Sequence, residues 1–176
     1  MAIEFTDTNL QHIIDADAGS AYLNGLTAIT VSLWVKSDAI NTDDGFVVSE
    51  AGIDDDYIQC RYDSAGASGG GDDVIKIGFH ISGTKRQYES ASNVQVTVWQ
   101  HLVFGWESGS AIFLYIDGAI DTPTYTAGAQ SGSLTNITSL LIGRGGKNTA
   151  TGGSWNGLID DVRIYTSVLI PTDIQP

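Results

Sequence analysis

The chain has 176 residues, 42% of them hydrophobic, with 21 Gly and 3 Pro, enough for one domain that buries a core without disulfide staples. Eight Lys and Arg against 21 Asp and Glu give a net charge of -13, which repels phosphate backbones and anionic lipid and argues against nucleic-acid and membrane partners. No stretch reaches the roughly 20 apolar residues of a membrane span, and the one cysteine, Cys60, excludes an internal disulfide and reads as a small buried hydrophobe.

Residues 3–7 and 11–15 are short apolar segments. Residues 27–37 alternate, with Ile29, Val31, Leu33 and Val35 on one face and Trp34 on the other, the mark of a strand covered on both sides. Strands at 44–50 and 57–63 flank an acidic bend. A Gly-rich loop at 64–73 leads to a hairpin of residues 74–90 that turns at Ser82-Gly83. Residues 94–107 form another strand, and 111–118 end in the turn signal Asp117-Gly118. A polar stretch covers 121–133, a strand at 139–146 runs into a Gly-rich loop, and 155–165 form the last long strand. Pro171 opens a single helical turn over 171–174. No window shows sustained helical period and no unit repeats. Ten to 13 strands in one domain, residues 1–176, read as all-β: an antiparallel β-sandwich or jelly roll.

The last strand, WNGLIDDVRIY, carries Asp160 and Asp161 side by side. Period-2 alternation sends them to opposite faces, so one of them faces a packed layer, where an unpaired carboxylate is costly.

Three segments resemble laminin-G-like members of the concanavalin A-like lectin/glucanase superfamily: ITVSLWVKS, WQHLVFGWESGSAIFLYIDGAI, and LLIGRGG followed by WNGLIDDVRIYTSVLIPTDI. The resemblance implies two curved sheets packed face to face, with Trp34 and Trp99 in the core or just under the surface. It also implies a structural calcium where the last strand meets the N-terminal segment, with Asp160 or Asp161 as ligands and Glu4 or Asp7 completing an oxygen shell. The alternative for the pair is one solvated Asp and one paired with Arg163 or capping backbone N–H groups. Asp54, Asp55 and Asp56 form a second acidic cluster, either a calcium loop or simply solvated.

Catalysis is not expected. The glycoside hydrolases of this fold carry Glu-x-Asp-x-x-Glu or a close relative, and the chain has no such string; Glu50, Glu89 and Glu107 are scattered. His12, His80 and His101 are too far apart for a zinc signature, no Gly-x-Ser-x-Gly elbow occurs, and GRGG at 143–146 is not a phosphate loop. Binding is the expected role. Trp106, Tyr57, Tyr62, Tyr88 and Trp155 are candidate sugar platforms, with Arg61, Arg86 and Arg144 as donors; core packing is the competing role for each. Two settings suit such a module. The first is a bacteriophage virion surface, as a decoration or fibre-type protein that docks on other virion proteins or on itself and also binds glycans; it accounts for an extracellular type of fold without an export signal. The second is a lectin-like module of a secreted, extracellular bacterial protein.

Overall fold

The computed structural model describes residues 1–6, 11–51, 56–65, 72–145 and 153–174. Thirteen strands among these residues form two sheets. The six-stranded sheet contains β1 (Ile3–Phe5), β3 (Ala28–Ser37), β8 (Gln100–Glu107), β9 (Phe113–Ile116), β10 (Ala119–Ile120) and β13 (Gly157–Tyr165), in the order β1-β13-β3-β8-β9-β10. The seven-stranded sheet contains β2 (Ile13–Asp15), β4 (Gly45–Ala51), β5 (Tyr57–Asp63), β6 (Val74–Ile81), β7 (Thr84–Glu89), β11 (Tyr125–Thr126) and β12 (Ile137–Ile142), in the order β11-β7-β6-β5-β4-β12-β2. Every strand pair is antiparallel. The fold is a jelly-roll sandwich, as the alternation of apolar residues implies.

The core lies between the sheets. Ile29, Val31, Leu33 and Val35 of β3 and Leu102, Phe104 and Trp106 of β8 point into it. They meet Ile58, Cys60 and Tyr62 of β5 and Ile75, Ile77, Phe79 and Ile81 of β6. Two hairpins turn where the sequence signals them: Ser82-Gly83 has φ 50° and 77°, and Asp117-Gly118 has φ 51° and 80°. Both central residues are left-handed, the geometry that matches strand twist. A short 3-10 turn covers Pro171–Asp173, at the expected place. The π-helical turn Gly19–Leu23 gave no sequence signal.

The last strand does not alternate as its sequence suggests. Asp160 pairs with Trp34 and Arg163 with Ser32, so two residues, Asp161 and Val162, stand opposite Leu33 alone. This is a β-bulge, and Asp161 adopts φ 49° within it. The extra residue resets the parity of the strand. Ile159, Val162 and Ile164 pack on the core, and both aspartates stay outside. The expectation that one carboxylate faces the packed layer is therefore wrong: the bulge removes the conflict that strict alternation would create.

Candidate functional site

Burial sorts the candidate sugar platforms first. Trp106 and Trp155 are 0% exposed. Trp106 lies against Phe79 with ring centroids 6.1 Å apart, and its indole N–H donates to the Gln130 carbonyl at 2.9 Å. Trp155 stacks on Tyr62 at 5.9 Å and meets Phe46 edge-on at 5.3 Å. Tyr62 donates its hydroxyl to Gln100 Oε1 at 2.5 Å, and Tyr88 donates to Asp121 Oδ2 at 2.7 Å; both are buried. These four are core residues with internal partners, which corrects the expectation that they meet ligand. Their large apolar rings fill the sandwich, and their polar tips find protein partners, except the buried Trp155 Nε1. Tyr57 is only 8% exposed, yet it is on the outer face of the seven-stranded sheet, where it stacks on His80 at 5.5 Å and 6°. Arg144 is half-buried beside the isolated bridge it makes to Ser154.

The outer face of the seven-stranded sheet is polar and dense in charge. Strand register places Arg61 opposite Lys76 and Lys76 opposite Glu89. The Arg61 guanidinium reaches Asp63 at 2.5 Å. The Lys76 ammonium lies 3.3 Å from Asp63 and 3.5 Å from Glu89, which is 0% exposed. Burial raises the Asp63 carboxyl, but the Arg61 and Lys76 charges outweigh it and hold the group below the usual carboxylate range. Lys85, opposite His80, is exposed; burial of its stem and then the Lys76 and Arg61 charges hold its ammonium below its ordinary value. Among the described residues Lys85 has no carboxylate within ion-pair distance, and Arg61 Nε is buried without a hydrogen-bond partner. Gln59 donates to the Gly145 carbonyl beside them. Among the described residues three cations, Arg61, Lys76 and Lys85, thus stand beside Asp63 and Glu89, with Asp56 3.8 Å from His80 Nδ1, a concentration of positive charge on a chain of net charge -13.

The outer face of the six-stranded sheet is different. Trp34 of β3 stacks on His101 of β8, with ring centroids 5.1 Å apart. Trp99, just before β8, is 38% exposed, which places it at the surface rather than in the core. These two tryptophans, Asp160 and Asp161 line one cleft of about 570 Å³, with Met1 at its side. Arg163 holds Asp161 through a hydrogen bond from Nε and an ion-pair contact from Nη2, each 2.8 Å, the pairing weighed as an alternative to calcium. Asp160 Oδ1 accepts from the Asp161 N–H at 2.9 Å and lies 3.3 Å from the Met1 ammonium. His101 Nε2 is 2.9 Å from Ser32 Oγ, while its Nδ1 is buried without a partner among the described residues. Burial outweighs the nearby Asp117 and Asp161 charges and holds the imidazole below its ordinary value, hence neutral near pH 7. The cleft was not legible in the sequence, because the resemblance placed both tryptophans in the core or just under the surface.

The expected calcium shell falls only partly within the described residues, since Asp7 lies outside them. No group of three or more His, Cys, Asp or Glu converges among them. The two bulge aspartates are held by cations, and Glu4 stands opposite Leu158 on the neighbouring strand. Asp7, Asp54 and Asp55 lie outside the described residues; Asp56 is buried and accepts from the N–H and hydroxyl of Thr135 at 2.8 and 2.9 Å. No helix among the described residues is long and apolar enough to cross a membrane.

Comparison with known proteins agrees with this architecture. No curated protein sequence matches the chain. Among solved structures it is similar to the CBM40 domain of the Ruminococcus gnavus IT-sialidase bound to α2,3 sialyllactose, with TM-score 0.71, 14% identity, and 98% and 94% of the two chains covered. Domain 4 of the extracellular arabinanase AbnA of Geobacillus stearothermophilus, in complex with arabinotriose, gives TM-score 0.64, 22% identity, and coverage of 98% and 74%. Mouse laminin α1 domains LG4-5 give 0.70, 12% identity, and coverage of 97% and 43%. A laminin G family model matches residues 11–175, and the chain belongs to that family of the concanavalin A-like lectin/glucanases superfamily.

Proposed function

We propose that the domain is a non-catalytic glycan-binding module that takes an acidic glycan on the outer face of its seven-stranded sheet. The observation that carries this reading is the cluster of Arg61, Lys76 and Lys85 around two buried carboxylates, beside the Tyr57–His80 stack. A sugar carboxylate there meets the exposed Lys85 ammonium, and hydroxyls meet Gln59 and Gln87. The solved neighbour holding sialyllactose supports an acidic sugar on this kind of scaffold. Titration with 3′-sialyllactose and with lactose tests it. Binding of the first, weakened by salt and by Lys85→Gln, is expected. Equal affinity for both sugars, or none for either, overturns it.

The virion-surface setting has its own support. Ile3, Ile13 and Ile14 are exposed on the short edge strands β1 and β2, beside a groove of about 390 Å³ lined by Phe5, Leu140 and Ile142. Such an apolar edge suits docking on another virion protein or a second copy. Light scattering tests self-association: a dimer that Ile13→Lys dissociates supports it, and a monomer at all concentrations removes self-association from the reading.

A further inference from the structure

We propose that the Trp34–Trp99 cleft on the six-stranded sheet is a second carbohydrate subsite, one that takes a neutral pyranose. It extends the glycan-binding reading but uses the opposite sheet and a ligand of different charge, so each can fail without the other.

The chain has four tryptophans. Two are fully buried, and the other two line one surface cleft. Leaving indole surface in water forgoes about 25 cal/mol per Å² of possible burial, so two such rings in one hollow call for an occupant. The His101 ring backs Trp34 and fixes its plane. A pyranose presents axial C–H groups on one face and hydroxyls around its rim. Its apolar face matches an indole, and its hydroxyls match carboxylate acceptors. The β-bulge supplies those acceptors by keeping Asp160 and Asp161 both outside. Arg163, paired with Asp161, adds a donor edge.

A second observation points to a ligand independently. Trp34 and Asp161 also line an adjoining hollow of about 280 Å³ beneath the C-terminal segment, with Ser32, His101 and Arg163. His101 is 5% exposed, and its Nδ1 is buried without a partner among the described residues. A buried nitrogen of this kind calls for a hydrogen bond. A hydroxyl that enters the adjoining hollow, which His101 lines, is the candidate partner. A bare organic cation is the competing occupant. The Arg163 pairing disfavours it, because it already neutralises Asp161 and leaves the cleft offering both acceptors and donors. A module with sites on opposite sheets bridges two glycan chains.

The indole N–H region of a proton–nitrogen NMR spectrum separates the outcomes, with cellotriose, maltotriose, 3′-sialyllactose and choline as probes. The expected result is that a neutral trisaccharide moves the Trp34 and Trp99 signals and leaves those of Trp106 and Trp155 in place. Trp99→Ala should weaken that binding at least tenfold with the unfolding temperature unchanged, and His101→Gln should weaken it less. Lys85→Gln should leave it unchanged. The proposal is overturned if neither neutral sugar moves the two signals, if choline alone moves them, or if Trp99→Ala binds as the parent does.

Discussion

Replacing Lys76 with Met tests whether the charge network on the seven-stranded sheet is understood. The ammonium bridges Asp63 at 3.3 Å and Glu89 at 3.5 Å, and all three groups are buried. Asp63 keeps Arg61 at 2.5 Å in the variant, but Glu89, at 0% exposure, loses the cation that faces it across the hairpin. Removing the cation from a buried ion pair costs about 3–5 kcal/mol. In a domain of this size each kcal/mol lowers the unfolding temperature by about 2–4 °C, so a fall of at least about 6 °C is expected. Urea unfolding should give the same loss, with the slope unchanged. Adding Glu89→Gln to Lys76→Met should recover most of it, because the charge that Lys76 faced is then gone as well. A loss below about 1 kcal/mol for Lys76→Met, or no recovery in the double variant, refutes the assignment of Lys76 as the counter-ion of Glu89.

Trp106→Phe should cost about 1–3 kcal/mol in urea unfolding by removing part of a buried ring and one of the two hydrogen bonds to the Gln130 carbonyl, the Gly109 N–H at 2.8 Å being the other, and should leave glycan affinity unchanged. Gly45→Ala should destabilise by about 1–3 kcal/mol in the same assay, since its Cβ would lie 2.0 Å from Gly145 Cα and 2.6 Å from the Gly153 carbonyl oxygen, both backbone. Asp63 titrates below its ordinary 3.8 in the folded state, so the unfolded chain binds its proton first as pH drops. Its contribution is full above about pH 4 and is lost as pH falls through the folded value; Asp63→Asn should flatten the stability profile there, which acid unfolding by circular dichroism checks. Calcium added to chelator-treated protein should leave the unfolding temperature unchanged, because Arg163 already neutralises Asp161; a rise of several degrees brings back the shell with Glu4 and Asp7.

The core was legible wherever period 2 held. The run Ile29, Val31, Leu33, Val35 points inward as written, and both left-handed hairpin turns fall on their Gly signals. The Asp160–Asp161 step was not legible, since a bulge shifts parity without a marker of its own beyond a residue type that tolerates φ > 0. The aromatics were misread for a related reason. Tyr and Trp are apolar in body and polar at one end, so they suit a core with one hydrogen bond as well as a sugar platform, and only partners in three dimensions decide. The Lys76–Glu89 pair did have a signal: a two-residue turn at Ser82-Gly83 pairs Ile81 with Thr84 and, counting outward, Lys76 with Glu89. Register read from the turn would have found it.

That register also bears on why the charges are there at all. Buried ion networks are poor stabilisers, and apolar residues of similar size often hold a sheet as well or better. Asp63, Lys76 and Glu89 therefore need a reason beyond folding. Sheet geometry supplies one, because the network fixes the long Arg61 and Lys76 side chains beside exposed Lys85, which has no carboxylate within ion-pair distance among the described residues. A fixed positive site on an otherwise acidic surface draws an anionic ligand to one face, while the indoles and carboxylates of the other sheet suit a neutral one. If Lys76→Met with Glu89→Gln folds as well as the parent but loses 3′-sialyllactose, the network serves recognition. If it folds as well and still binds, the network serves neither stability nor recognition, and Lys85 alone carries the acidic-glycan reading.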